Sequence, residues 1–433
     1  MTTTTNNEQK KLNVPNKREQ NQSCLDSAER EGLRPNGNVP NLRFPEFRGE
    51  WEKVRLGEEC NMLCGYAFNG EDIVEQGSYL LMRGINITEG SIRHSSELDR
   101  YYSGSIEKLD KYKLAIGDLV IGMDGSKVGR NSAIVSSYED GSYLVQRVCR
   151  IRSSIGNNYI LQFINNTKFH QYVDTVKTSS AIPHISLRDI KNYRISIPST
   201  QDETDKIAKL FLLLDERIAT QNKIIDKLQS LIKGINQSIF MNNNVINYKL
   251  GEVCGIRSGY SGNQLLSKKG LKVSRIETIS GHKVNMERVG YVAPFESSEN
   301  YRLRVGDILF SNINSVEYIG NTAFIDKDYD LYHGMNLLRL TPNNMVVIPF
   351  YLYLLLNTNR MLNRFKTICN KAVSQASINQ TELGKTVVQI PDINAQEQIC
   401  KFYQALYDKL ESEKYANSLF QKQKQYLLRQ MFI

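Results

Sequence analysis

The chain has 433 residues, 40% of them apolar, with 55 Lys and Arg against 46 Asp and Glu, a net charge of +9. That length exceeds one hydrophobic core and calls for at least two domains. No run of about 18 apolar residues and no signal-peptide core stand in the sequence, so a soluble, cytoplasmic protein with no membrane partner is expected; the basic balance suits a polyanionic ligand.

In chain order, residues 1–40 are rich in Thr, Asn, Gln, Lys and Glu and predict a disordered tail. The text changes at Asn41-Leu42-Arg43-Phe44-Pro45-Glu46-Phe47, which leads to Trp51 and is expected to tie this segment to the first domain, 41–200. There, β-type runs (Leu119–Ile121, Ala133–Val135, Val148–Ile151) alternate with Gly, Asn and Ser turns. A helical stretch over Ile160–Val176 and a loop, Thr178–His184, follow. A long helix is predicted over 201–241 and a second domain over 246–393. The latter has strands around Ile308–Phe310 and Leu337–Leu340, a helix near Phe350–Phe365 and a loop at Lys371–Ser377. A second long helix closes the chain over 394–433.

The second domain rewrites the first. Leu56-Gly57-Glu58 returns as Leu250-Gly251-Glu252, and Gly65-Tyr66 as Gly259-Tyr260, both at a shift of 194. Tyr112–Leu119 returns as Tyr301–Ile308 at 189, and Ile197-Pro198 as Ile390-Pro391 at 193. Four coincidences in order and at nearly constant spacing indicate an internal duplication, with a period too long for a solenoid.

The first long helix carries Ile207, Phe211, Leu214, Ile218, Gln221, Ile225, Leu228, Ile232, Ile235 and Ile239 at alternating steps of four and three, a coiled-coil seam on the order of 50 Å long. The same register in the second helix reads Ile399, Tyr403, Leu406, Leu410, Glu413, Asn417, Phe420, Lys424, Leu427 and Met431. Each seam needs the other, and connectivity makes the helices antiparallel. A flush alignment sets Gln221 opposite Asn417 as a buried amide pair that would fix register. The expected fold is therefore mixed α+β: two similar α/β domains at opposite ends of a pair of long antiparallel helices, related by a pseudo-two-fold axis. Duplex DNA has matching local symmetry, so such a frame suits two inverted half-sites.

Taken with the opening Pro40–Trp51 and the Ile-Pro starts of both helices (Pro198 with Asp202-Glu203, Pro391 with Gln396-Glu397-Gln398), this order of motifs resembles the specificity (S) subunit of Type I restriction–modification systems over about residues 40–433. The resemblance implies two target recognition domains reading a bipartite site on double-stranded DNA, and helices that act as a ruler. It further implies docking of two methylation (M) subunits and, in the full nuclease, restriction (R) subunits. It makes this chain non-catalytic and free of cofactors, with S-adenosylmethionine, ATP and Mg on partner subunits. Two departures stand out: a more polar second seam, and a second loop lacking the first loop's Pro183.

There is no Asn/Asp-Pro-Pro-Tyr/Phe methyltransferase motif, and Gly122–Gly129 (GMDGSKVG) lacks the P-loop spacing and reads as a strand-to-strand turn. The five histidines form no H-x-x-x-H, and no carboxylate pair with a lysine marks a nuclease. Seven cysteines (Cys24, Cys60, Cys64, Cys149, Cys254, Cys369, Cys400) have no paired spacing and read as reduced and structural rather than zinc ligands.

Base readout needs Arg, Lys, Asn, Gln or small hydroxyls on loops, and phosphate contacts need cations or backbone amides. In the first domain Arg83, Asn86, Lys127, Arg130, Gln146, Arg147, Lys177, Ser179, Ser180 and His184 meet those demands. In the second, Arg275 (the positional partner of Arg83), Asn312, Asn314, Ser315, His333, Asn336 and Gln375 do. Each is weighed against ordinary surface polarity; for Tyr66 and Tyr260, half-buried packing beside glycine is favoured over stacking on a base. The rivals to a DNA reader are a coiled-coil adaptor without DNA specificity and a fused methyltransferase, the second disfavoured by the missing motifs.

Overall fold

A computed structural model describes residues 37–238, 244–279, 281–371 and 375–433, with the side chains of 236–238 set aside. The chain divides into two compact units, one running to Ile218 and including Leu419–Ile433, the other Ala219–Ser418. The tail expected over 1–40 lies outside the described residues up to residue 36. Residues 37–40 belong to the first unit instead, because Trp51 donates its backbone N–H to Asn38 at 2.7 Å and Pro40 is buried.

The first unit is built on an antiparallel sheet in the order Cys60–Cys64, Val148–Ser153, Leu119–Gly122, Ser132–Ile134. All four residues of Leu119–Gly122 are buried, because the sheet is covered on both faces. Alternation sorts its side chains. Leu119, Ile121, Cys149 and Ile151 face the helix Asn157–Ile164, while Val120 and Val148 pack with Met82, Ile87 and Leu114. The second unit repeats the design with Cys254–Ser258, Leu337–Pro342, Ile308–Ser311 and Thr322–Phe324. Ile308, Phe310, Leu338 and Leu340 lie in one cluster, Leu309 and Leu337 in another.

Each helical stretch expected after this sheet is two helices. The first breaks into Asn157–Ile164 and Thr167–Val176, the second into Pro349–Leu356 and Asn359–Ile368. Capping explains both breaks: Asn166 accepts from the Lys168 N–H at 3.0 Å, and Thr358 from the Met361 N–H at 3.3 Å.

The repeated motifs have structural causes. Gly117 and Gly306 take φ of +86° and +94°, in turns closed by Asp118 and Asp307, which accept the N–H of Ala115 and Arg304, both at 2.9 Å. A Cβ on Gly65 would stand 2.1 Å from the Val145 carbonyl oxygen, and one on Gly259 1.8 Å from that of Gly334. Only glycine allows that approach. Leu56 and Leu250 are wholly buried, and Glu58 and Glu252 accept the N–H three residues earlier at 2.7 Å. Ile197 and Ile390 end strands that pair with Glu52–Arg55 and Ile246–Lys249.

The long helices are Gln201–Ser238 and Ile393–Met431. On the first, Ile207, Phe211, Gln221, Ile225 and Ile232 are buried and Leu214, Ile218 and Leu228 half-buried; Ile239 lies outside the described residues. On the second, Tyr403, Leu410 and Met431 are buried, and Ile399, Leu406, Glu413, Asn417, Phe420, Lys424 and Leu427 half-buried. Within the first unit the helices run antiparallel: Phe211 meets Phe432, Asp215 meets Lys424, and Arg217 lies over the Phe420 ring. Within the second, Ile225, Ile232, Tyr403 and Leu410 share the domain core.

The Gln221–Asn417 amide pair is not formed. Gln221 donates to the Glu413 carboxylate, a stronger acceptor than an amide, and Asn417 Nδ2 donates to Asn222 Oδ1 at 2.8 Å. Lys424 Nζ donates to Asp215 at 2.5 Å. The three polar positions of the second seam therefore each meet a polar partner on the first helix.

Candidate nucleic-acid interface

In the first domain the turn after Leu119–Gly122 and the loop after Thr167–Val176 come together by backbone pairing. Gly125 N–H donates to the Pro183 carbonyl at 3.0 Å and Ile185 N–H to that of Met123 at 3.0 Å. Met123 N–H in turn donates to the Arg147 carbonyl at 2.9 Å, and Gln146 N–H to that of Tyr66 at 2.8 Å. One surface thus carries Gln146, Arg147, Ser179, Ser180 and His184. The first four are exposed and His184 half-buried.

Thr178 organises the loop. Its Oγ1 accepts the His184 N–H at 3.0 Å and lies 3.0 Å from His184 Nδ1, while Ser180 Oγ donates to the Ile182 carbonyl at 2.6 Å. Sequence reasoning named the loop but missed the role of this threonine, and its position at the loop's first residue was the only signal. Arg147 holds φ at +69°, which turns the chain so that Gln146 and Arg147 both stand outside the sheet.

Three other candidate cations of this domain have internal partners. Arg130 and Lys177 share the Asp174 carboxylate at 2.9 and 2.6 Å, leaving one net positive charge. Lys177, then Arg130, hold that carboxyl below its usual range. Lys127 pairs with Glu89 at 3.0 Å. Arg83 is half-buried at the head of the turn Gly84–Asn86.

Asn86 is a correction. It is 1% exposed, accepts the Arg83 N–H at 3.3 Å and donates to the Arg93 carbonyl and Asp99 at 3.2 and 3.1 Å. Thr278 fills the same place in the second domain, accepting the Arg275 N–H at 2.9 Å and donating to the Arg288 carbonyl at 2.7 Å. Both hold a turn together. Neither side chain is free to read a base.

In the second domain the corresponding turn and loop also meet, despite the absence of a proline. Ile313 and Asn314 pair with Ser377 and Ala376, and Ile378 N–H donates to the Asn312 carbonyl at 2.9 Å. Residues 372–374 of the loop lie outside the described residues. Gln375, Ser315 and Asn336 are exposed. Asn336 repeats the positive φ of Arg147, at +64°. Met335, exposed beside it, stands where the first domain has Gln146; the shift of 189 would have found it in the sequence. Asn312 and Asn314 are half-buried and spend their amides on the Ile378 carbonyl (3.4 Å) and Ser311 (3.1 Å). Arg275 is 46% exposed, 3.7 Å from Glu277.

His333 is the second correction. It is 1% exposed, and since a carbonyl can only accept, its Nε2 donates to Leu337 at 3.0 Å. Burial pushes its pKa down to about 4. Leu144 stands at the matching position of the first domain, so this is a core site. Tyr66 packs edge-on to Phe68 at 5.1 Å and Tyr260 stacks on Phe295 at 3.9 Å, which gives both a structural use for their rings.

Among the described residues, no group of three or more His, Cys, Asp and Glu could hold a metal ion. No helix among them is long and apolar enough to cross a membrane.

The family model for the Type I restriction modification DNA specificity domain matches residues 48–230 and again 242–418. A Methanocaldococcus jannaschii protein, provisionally named the MjaX specificity subunit of a type I restriction enzyme, is 44% identical over 149 residues. These are 34% of this chain and 35% of that protein, so the match spans about a third of the relative's length. The EcoBI specificity subunit of Escherichia coli is 20% identical over 411 residues, 85% of this chain and 82% of that one. The fold is shared with a Type I restriction-modification S subunit from M. genitalium (TM-score 0.57, 16% identity, 91% of this chain, 99% of that one). It is also shared with a chain from a study of type I R-M complex assembly and conformational transition (TM-score 0.55, 16% identity, 89% of this chain, 98% of that one). With two domain matches that together cover more than half its length, the chain belongs to the Type I restriction modification DNA specificity family.

Proposed function

We propose that this chain is the non-catalytic DNA-specificity subunit of a Type I restriction–modification complex, in which each domain reads one half of a bipartite site on double-stranded DNA. The observation that carries this reading is the duplicated surface. In both domains the turn after the third sheet strand is stitched to the loop after the paired helices, beside a positive-φ residue, Arg147 or Asn336. Loops held on a rigid sheet are where base-reading side chains are best placed. The residues presented differ between the two, Gln146-Arg147 against Met335-Asn336, as two readers of different half-sites require.

In this reading the paired long helices set the distance between half-sites and offer their outer faces to two methylation subunits, with restriction subunits joining in the full nuclease. Methyl transfer and cleavage, with S-adenosylmethionine, ATP and Mg, belong to those cytoplasmic partners.

The test exchanges residues 246–393 for the corresponding domain of another family member and maps methylated sites in cells carrying the methylation subunit. One half of the target should change and the other, with the gap, should stay. A change in both halves defeats the modular assignment. No duplex binding by the wild-type complex at low salt defeats the DNA reading itself.

A further inference from the structure

Cys64 and Cys149 face each other across adjacent antiparallel strands. The neighbouring N–H of Gly65 donates to the Val148 carbonyl at 2.9 Å, which makes Cys64–Cys149 a non-hydrogen-bonded pair. At such pairs the Cα atoms are about 4.5 Å apart and the side chains closest, within the span a disulfide bridges. Cys64 Sγ lies 3.7 Å from Met123 Sδ, and Cys149 Sγ 3.5 Å from the Arg150 carbonyl oxygen. Cys64 is half-buried, whereas Cys149 is fully buried.

We propose that Cys64 and Cys149 form a redox-active pair that closes a reversible disulfide when the chain meets a hydroperoxide. The Cys64 thiolate attacks one peroxide oxygen; the O–O bond breaks, hydroxide leaves and takes a proton as water, and Cys64 becomes a sulfenic acid. The Cys149 thiol gives up its proton and attacks the Cys64 sulfur; the S–O bond breaks and the hydroxide leaves with that proton as a second water. Two thiols lose two electrons and one hydrogen peroxide becomes two waters.

Chemistry singles out the attacking thiol. The Cys149 thiol beside it, opposed by burial and aided by Lys191, holds the Cys64 thiol below its ordinary range and favours its thiolate. Burial instead pushes Cys60, Cys254 and Cys400 up to about 11, 12 and 11. The second domain has no counterpart, since Ser258 and Leu338 stand at the matching positions. The bond would lie under the Gln146-Arg147 turn, because Met123, against Cys64, is the residue that ties Arg147 to the loop.

The full-length chain, treated with a small excess of hydrogen peroxide, is denatured, alkylated, digested and read by mass spectrometry. The free-thiol count should fall by two of seven, with peptides of Cys64 and Cys149 linked to each other and released by dithiothreitol. In Cys149→Ala, dimedone should trap the Cys64 sulfenic acid that no longer has a resolving thiol. Cys64 linked to a different cysteine, oxidised to sulfinic acid without a link, or left fully alkylated in the wild-type chain overturns the proposal, whether or not the variant folds.

Discussion

Arg43 forks Glu203: its Nε and Nη2 each lie 2.7 Å from one oxygen of a carboxylate that is wholly shielded from solvent. The same guanidinium donates to the Gly49 and Arg48 carbonyls at 2.6 and 3.0 Å, so it fastens the segment before Trp51 to the first long helix. Arg43→Ala leaves a buried, uncompensated carboxylate and should cost about 3–5 kcal/mol in urea unfolding. The helix register that pairs Ile207 with Ile399 puts Ala395 at the matching place in the second domain, where no charge is buried. Adding Glu203→Gln to Arg43→Ala should therefore recover part of the loss. If the double variant is no more stable than the single, the cost does not come from the stranded charge.

Gly65 and Gly259 make a matched pair of probes. An added methyl at either would overlap a backbone carbonyl, which cannot move without dragging its strand. Gly65→Ala and Gly259→Ala should each destabilise by on the order of 3 kcal/mol. Hydrogen exchange should localise the loosening to the strand pair of the domain carrying the change. Wild-type protection in that domain would show that the contact gives way cheaply.

Much of this was legible in the sequence, and the exceptions share a cause. The sheet strands Leu119–Ile121 and Ile308–Phe310 announce themselves because two buried faces demand an unbroken apolar run. The seam is legible because its period is tied to helix geometry. The duplication survives as short words because each word fixes a backbone shape: a positive φ at Gly117 and Gly306, a carbonyl approach at Gly65 and Gly259. What stayed hidden depends on tertiary partners. Asn86 and His333 look like surface readers by type, and only the carbonyls of Arg93 and Leu337 show that they are internal fasteners. The helix breaks at Asn166 and Thr358 were masked by apolar residues on both sides of each cap. Gln221 took Glu413 because register alone does not say which of two nearby polar groups accepts more strongly.

The polar seam makes a quantitative claim about Asp215 and Lys424, 2.5 Å apart with side chains 34% and 14% exposed. A double-mutant cycle with Asp215→Ala and Lys424→Ala should give a coupling of about 1 kcal/mol, discounted from a buried pair because Asp215 is partly hydrated. High salt should shrink it. A coupling near zero at low salt would make this a crystal-like surface pair without energetic weight.

His333 supplies a pH dependence with a definite sign. Burial lowers its folded pKa to about 4, from an ordinary value of about 6.5 in the unfolded chain. The unfolded state therefore binds the proton first as pH falls, and stability is lost between about pH 6.5 and pH 4. Above that window the contribution is fully present; below it the loss levels off near 3 kcal/mol. His333→Leu, which installs the residue found at Leu144, should flatten this part of the urea-stability profile. His170 and His282, also pushed down by burial, remain in both proteins and cancel in the comparison. An unchanged slope in the variant would place the acid sensitivity elsewhere.

DNA binding separates readers from anchors. Gln146 and Arg147 are exposed beside the paired loop and have no carboxylate partner among the described ion pairs. Arg130 and Lys177 already share Asp174. Arg147→Ala should cost roughly 1–3 kcal/mol and relax one position in one half-site, leaving the other half-site as selective as before. Arg130→Ala should weaken all duplexes alike and reduce the slope of log K against log salt by up to one unit, since the Lys177–Asp174 pair it leaves behind carries no net charge. Methylome mapping reads the first effect and titrations at several salt concentrations read the second. If Arg147→Ala lowers affinity uniformly over all sequences with a full unit of salt slope, this residue grips phosphate, and base readout in the first domain falls to Gln146 and the Thr178–His184 loop.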